Sequence, residues 1–570
     1  MREILRRALG WAAHGGRRWY LLSGFGLAIA LILIARFGTD AGVSYDEPAQ
    51  RAYGDMIVAW FRSGFTDARA TLFWDLYLYG GLFDAPAQWI ASHVPLDGYD
   101  TRHLLSALCA LLGVVGAFRL AAAVGGPRAG LLAAVVLALT PCWIGHGLFN
   151  PKDIPFGAAA TFASLAALRV AIGPAPVRLR DAGWAGLAAG IALGVRPGGV
   201  FVLGYPCLAV VLRLALELYR RRRHAEAVEL GALIGNLAAC LALCLAITWL
   251  VMLAAWPWAQ LHPLTRPFEA MRIARNFAWS ARVLFEGRMI PADKLPLRYL
   301  PVWFAITLPE TYFVAVLTAL GMVIYAAIGR CKRRGMLAGP VAQRALREHA
   351  AAFLDRIAGG ELLRPVIGGV MLATFIGVPL DAIFITRPVL YDAQRHALFL
   401  LPPMAAAAGW TLSEAFSAGR LPRGFRGACA AALIGIALSV CVDIVQLHPY
   451  EYVYFNRLSG GLAGQYRKFE TDYWSISYRE GLEWVLKELA PPDARRRLRV
   501  ASCDIAGDDR LRYYLTQWNA TDKMRVVDRY DRADVYLAVR RFNCHRVPGE
   551  ILHVVRRQGI PLLYVRRTQK

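Results

Sequence analysis

The chain has 570 residues, 57% of them hydrophobic and only 19% charged, with a formal net charge of +24. A mean hydropathy of +0.38 excludes an ordinary soluble domain, and recurrent runs of about 18 or more apolar residues point to a polytopic α-helical membrane protein. The positive charge does not make nucleic acid a partner: no nucleic-acid module accompanies it, and Lys and Arg collect at span ends where anionic lipid attracts them.

In chain order, the basic stretch MREILRRALGWAAHGGRRW precedes a long apolar run with no small-residue cleavage site, which predicts an uncleaved first span. Apolar segments fall at 19–37, 103–123, 128–145, 154–172, 182–195, 198–217, 229–256, 300–328, 365–386, 396–416 and 427–446, eleven spans in all. The fifth and sixth meet at Arg196-Pro-Gly-Gly199 and together are too long for one crossing, so a turn or re-entrant break is expected there. Basic loops at 178–181, 220–224, 330–334 and 420–426 predict a cytoplasmic N-terminus. The first outer loop, 38–101, agrees, with nine acidic residues against Arg51, Arg62 and Arg69. The loop 257–300 does not: it carries Arg266, Arg272, Arg275, Arg282, Arg288, Lys294 and Arg298, yet falls outside. Either the span count is off by one or those cations meet an anion. Residues 335–364 form a cytoplasmic loop with one helix predicted at 342–357.

Residues 1–446 thus make a membrane domain, and 447–570, with 23 Lys or Arg and 15 Asp or Glu, a small α/β domain. Residues 477–490 have helical spacing, while 497–503, 534–541 and 559–567 are β-branched and aromatic, as strands are. With an odd span count this domain is extracytoplasmic. The ten cysteines include no C-x-x-C pair, and most, like Cys240 and Cys244, sit in apolar runs as small buried residues. Cys503 and Cys544 close two predicted strands and stand either as a disulfide or as unrelated thiols.

Three short stretches carry chemistry. Asp46-Glu47 follows the first span, and Pro48 suits the first turn of a helix whose apolar stripe is Tyr53, Ile57, Trp60 and Phe61. The acids either cap that helix or place a catalytic carboxylate at the membrane surface. HGLFNPKDIPFG, His146 to Gly157, packs His146, Asn150, Lys152 and Asp153 into one short outer loop. It is a turn with a helix start, or a cation and an acid held beside an anionic ligand. In LYDAQRHALFLLPP, Leu390 to Pro403, Arg395 and His396 open the tenth span on the outer side, where a cation is disfavoured as a mere anchor.

The order of these elements resembles the GT-C glycosyltransferases, in particular the bacterial relatives of protein O-mannosyltransferases and of the aminoarabinose transferase (a family-39-like group). YDEPAQ resembles the acidic motif of their first outer loop. HGLFNPKDIPF, PLRYLPVWFAIT, YDAQRHALFLLP and HPYEYVYFNRLSGG…FETDYWSISYREGLEWV resemble a subgroup with a short extracytoplasmic C-terminal domain. The resemblance implies an enzyme of the inner membrane that transfers a sugar from a polyprenyl-phosphate donor to an envelope acceptor: a lipid, a glycan or a protein. It assigns Asp46 as general base or acceptor-positioning group, with Glu47 and Asp153 as further catalytic carboxylates. Lys152, Arg395 and His396 become candidates for the donor phosphate. No cofactor is required by any spacing; a divalent metal is possible, with Glu47 and His146 as candidate ligands. Two other classes compete: a secondary transporter or lipid-linked-sugar flippase, which predicts charges inside spans and inverted repeats, and a non-catalytic assembly subunit.

Overall fold

The computed structural model describes residues 16–224, 229–275, 279, 281–334, 351–417, 423–490, 496–503 and 505–568. It is a helical membrane protein carrying a small C-terminal sheet. Among the described residues, seven helices are long and apolar enough to cross a membrane, or eight if one bent pair forms a single span. The first, Arg17–Phe37, buries no residue; its exposed Leu, Ile and Phe side chains need lipid as solvent.

The other apolar runs show why eleven segments become seven long helices. Runs 103–123 and 128–145 lie on one helical stretch, Gly98–Ala138, broken where Gly126 takes φ +81 ahead of Pro127. The chain doubles back there: a Cβ on Gly130 would lie 2.7 Å from the Phe118 carbonyl. The predicted turn at Arg196 is also a reversal. Helix Leu179–Val195 ends at it, and helix Gly204–His224 returns so that Arg213 donates to the carbonyl of Gly173. The run 300–328 is no straight span: Tyr299–Thr307 and Glu310–Ile324 meet at 106°. Pro309 removes a donor at the bend, and Asn456 Nδ2 donates to the freed carbonyls of Ala305 and Leu308 at 2.8 and 2.9 Å. The run 396–416 opens with a 3-10 turn, Arg395–Leu400, before helix Leu401–Ser417. Of the helix expected at 342–357, positions 342–350 lie outside the described residues and 351–357 are helical.

Packing relies on small residues, which let helix backbones approach where no hydrophobic effect drives them together. Helix Asp153–Ile172 is almost wholly buried and rich in Ala. Helices Leu179–Val195 and Leu230–Leu253 cross at Gly186 and Gly190. A Cβ on the first would meet the Cys244 carbonyl at 2.5 Å, and on the second Val251 Cβ at 2.6 Å.

The C-terminal sheet has five strands: β3 (Leu498–Ser502), β4 (Met524–Val526), β5 (Val535–Val539), β6 (Glu550–Arg557) and β7 (Ile560–Arg567). Their order is β4-β3-β5-β7-β6. β3 runs parallel to β4 and β5, and β7 antiparallel to β5 and β6. Helix Ile505–Gln517 makes the β3–β4 crossover. Cys503 and Cys544 are bonded, with Cα atoms 5.7 Å apart, inside the range a disulfide needs. Contacts from the C-terminal domain tie this sheet to the loops of the bundle. Tyr514 accepts from the Val43 N–H at 2.6 Å, Arg479 donates to the Thr39 carbonyl at 2.8 Å, and Lys468 O accepts from Gly287 N at 2.8 Å. Gly287 turns a hairpin of β1 (Arg282–Phe285) and β2 (Arg288–Pro291) inside the basic loop 257–300. That loop therefore shares one face with the first loop and the C-terminal sheet.

Candidate functional site

The charged residues of this face converge on Arg395. Its Nη1 lies 3.3 Å from Asp46 Oδ2 and 3.8 Å from Asp153 Oδ2, and its Nε lies 3.2 Å from Asp392 Oδ2. The guanidinium is 6% exposed as a residue and sits over the rings of Tyr391 and Trp474, 4.8 and 4.9 Å from their centroids. A buried arginine with three carboxylates is no lipid anchor.

Helix Glu47–Arg62 places Asp46. Asp46 holds the N-cap position but makes no capping hydrogen bond, so its carboxylate is left to Arg395. Glu47, the first residue of the helix, instead folds back, and its Oε2 accepts the Ser44 N–H at 2.7 Å. Glu47 Oε1 lies 2.9 Å from His103 Nε2, both side chains 1% exposed. The structure thus separates the two acids: Asp46 joins the cluster with a quarter of its side chain open, and Glu47 turns into the protein. Tyr53, Ile57 and Trp60 are buried as the stripe requires, while Phe61 is exposed.

Asn150 builds the next part. Its Oδ1 accepts from Lys152 N and Asp153 N at 3.1 and 2.9 Å, and its Nδ2 donates to Asp153 Oδ2 at 3.0 Å and to His146 Nδ1 at 3.1 Å. With Nδ1 accepting, the other ring nitrogen of His146 carries the proton toward the Tyr473 hydroxyl, 2.9 Å away. Both nitrogens of His146 and both oxygens of Glu47 are therefore engaged. No group of three or more His, Cys, Asp or Glu among the described residues is arranged to hold a metal ion, so the two candidate ligands do not come together as a metal centre.

Asp153 also pairs with Arg196, a cation at the chain reversal that the sequence reading treated only as a break. Lys152 lies over the Tyr79 ring, 4.5 Å from its centroid, and makes no ion pair among the described residues. His396 packs edge-on against Tyr391, 4.7 Å between centroids; its Nδ1 is buried without a hydrogen-bond partner.

Two further residues complete the cluster, and sequence reasoning gave neither a role. Asp392 accepts from Trp474 Nε1 at 2.8 Å and pairs with Arg541 Nη2 at 2.7 Å. Arg541 comes from the C-terminal domain and also donates to the Tyr473 carbonyl. Asp392 and Ala393 have φ +56 and +60, two successive left-handed residues that each cost about 1–3 kcal/mol and persist only when their surroundings hold them. The ion pairs to Arg395 and Arg541 supply that hold. An invariant spacing could not have revealed Arg541, which is 149 positions from Asp392.

Four cations (Arg395, Arg541, Arg196 and Lys152) thus face three carboxylates (Asp46, Asp153 and Asp392), an imbalance that suits one anionic ligand. Burial pushes the Asp46 carboxyl up, but Arg395, Lys152 and Arg541 together outweigh it and hold it below its ordinary value. Asp46 is ionised at neutral pH and can accept a proton.

No protein-family model matches the chain, and no curated protein matches it. Solved structures do. One is ArnT from Cupriavidus metallidurans bound to undecaprenyl phosphate: 13% identity over 96% of this chain and 98% of that one, TM-score 0.42. Another is the archaeal oligosaccharyltransferase AglB from Archaeoglobus fulgidus, in complex with an inhibitory peptide and a dolichol-phosphate: 12% identity over 90% of this chain and 65% of that one, TM-score 0.41. The chain is similar to both along most of its length. At this degree of likeness neither lends its chemistry to the residues described above.

Proposed function

We propose that this protein is a membrane glycosyltransferase that moves a sugar from a polyprenyl-phosphate donor to a hydroxyl of an envelope acceptor, on the extracytoplasmic side of the bacterial inner membrane. The observation that carries this reading is the partly open, ionised Asp46, paired with Arg395 and in the field of Lys152, which makes no ion pair among the described residues. The sequence resemblance to GT-C glycosyltransferases points the same way. In the transfer, the acceptor oxygen attacks the anomeric carbon and gives its proton to Asp46, as a positioned base does. The bond from the anomeric carbon to the phosphate oxygen breaks, and its electron pair leaves with the polyprenyl phosphate. Lys152, with Arg196 and Arg395 nearby, stabilises that charge electrostatically. Asp153 orients Arg196 and Arg395. Glu47 acts on the position of Asp46, by holding the Ser44 turn before it, and not on substrate.

The loop face carries the base, the donor cations and the C-terminal domain together, which is what the extracytoplasmic assignment of residues 447–570 requires. The charged groups lie at loop ends and not in mid-span, which disfavours a transporter. Intact-mass analysis of lipid-linked sugars and envelope glycans in a deletion strain tests the reading. A polyprenyl-phosphate sugar should accumulate and one glycan should lose that sugar's mass; both should revert with the wild-type chain and not with Asp46→Asn. A deletion strain with unchanged lipid-linked sugars and glycans refutes it.

A further inference from the structure

A cavity of about 260 Å³ lies between the β1–β2 hairpin and the C-terminal domain. Arg467, Arg540, Arg541, Arg546 and His545 line it, with Glu470 and Asp472 as its buried acids; Asp472 is held by the Tyr452 and Ser477 hydroxyls. Asp46, Lys152, Arg196 and Arg395 do not line it, so it is distinct from the proposed donor site. It nevertheless adjoins that site. Arg541 is shared, and the charged contacts run from Arg541 to Asp392 at 2.7 Å, to Arg395 at 3.2 Å and to Asp46 at 3.3 Å.

Arg541 is engaged by Asp392 and the Tyr473 carbonyl. Arg467, Arg540 and Arg546 are different. None has an ion pair among the described residues; Arg540 and Arg467 only lie over the Tyr466 ring, at 4.3 and 5.8 Å. Their acidic neighbour is weak. Glu470 Oε2 is buried without a hydrogen-bond partner. The disulfide at Cys544 fixes the 3-10 turn Arg541–Arg546, which presents two of the arginines and is preceded by a third, Arg540. Guanidinium forks lining one cavity match the planar, bidentate geometry of an oxyanion.

We propose that this cavity is a subsite for an oxyanion, a phosphate or carboxylate, carried by the acceptor, and that it presents the acceptor hydroxyl to Asp46. The assignment to the acceptor rests on the transferase reading; the oxyanion site does not. The charge state of Glu470 supports it. Burial above all raises that carboxyl, to about 7, with Asp392 adding to the rise and Arg541 opposing it; Arg467, Arg540, Arg546, His545, Asp472 and Tyr473 line the same cavity, and Tyr299 interacts with Glu470 electrostatically. A carboxyl half protonated near neutrality repels an incoming anion little.

The test uses the full chain in nanodiscs of zwitterionic lipid, with inorganic phosphate as probe and ³¹P NMR line broadening as readout. Wild type should bind phosphate saturably. The double variant Arg467→Gln/Arg546→Gln, which removes two exposed arginines with no ion pair, should bind at least about tenfold more weakly. Equal affinity in the double variant overturns the oxyanion site. In discs with phosphatidylglycerol the phosphate affinity should hold; its collapse would mean that a lipid headgroup fills the cavity and would overturn the acceptor assignment. In the transfer assay the double variant should raise the acceptor KM about tenfold and leave the donor KM unchanged; the reverse pattern also overturns the acceptor assignment. If no variant and no wild type transfers sugar while phosphate binding still depends on the two arginines, the transferase reading falls and the oxyanion site stands.

Discussion

Two groups of arginines lie side by side on the loop face and behave differently. Around Asp46, Arg395, Arg196 and Arg541 are each matched by a carboxylate. In the neighbouring cavity, Arg467, Arg540 and Arg546 make no ion pair among the described residues. The difference separates cations that hold architecture from cations left for a ligand. A buried ion pair contributes little net stability but is costly to break, so the first group should fail by unfolding and the second by losing affinity. Lys152 sits among the first group and behaves like the second.

The largest effect expected is on rate. Asp46→Asn keeps the shape of the side chain and removes the base, so transfer should fall by ~10²–10⁴-fold with thermal unfolding unchanged; a fully active variant would reduce Asp46 to an Arg395 partner. Arg395→Ala strands Asp392 and Asp46 and should cost about 3–5 kcal/mol of stability, read as a lowered unfolding midpoint in detergent. Removing the disulfide with Cys503→Ser/Cys544→Ser should cost about 2–4 kcal/mol and, by loosening the Arg541–Arg546 turn, weaken phosphate binding as well; intact-mass analysis under non-reducing conditions checks that the wild-type bond is present. Lys152→Ala should leave the unfolding midpoint alone and raise the donor KM by about tenfold; a lowered midpoint instead would move Lys152 into the architectural group. The smallest effect concerns pH. Glu470 binds its proton more tightly folded, at about 7, than its ordinary 4.5. Its contribution is therefore present at low pH and is lost as pH rises from about 4.5 through about 7, and Glu470→Gln should flatten that decline in a pH series of unfolding midpoints.

Much of this was legible in sequence. The cations Lys152 and Arg395 stood out because each sits where a span-flanking cation is unexpected, and Asp46 because it follows a span at once. Strands β3, β5 and β7 fall on the three β-branched runs, and the helix expected at 477–490 is Tyr478–Glu488. Arg196 obeys the same rule as Lys152 but was read only as a break. The different fates of Asp46 and Glu47 had a signal in the S-x-x-E spacing from Ser44. What sequence hid was long-range: β6, whose mainly apolar run Ile551–Val555 is short and flanked by charges, the short β4 and hairpin β1–β2, and the pairing of Asp392 with Arg541. No local pattern encodes which acid a distant arginine will meet.

The contact between Asp392 and Arg541 also bears on how such a chain is made. Arg541 leaves the ribosome after every apolar run has been threaded, and the C-terminal sheet must fold before its guanidinium can reach a loop that was finished long before. Until then the left-handed Asp392–Ala393 pair lacks one of its two clamps. A half-synthesised chain would hold its bundle in the bilayer with the charge cluster unlocked, so competence would switch on only when the last-made part docks. A folding checkpoint is thereby built into the same salt bridge that shapes the site.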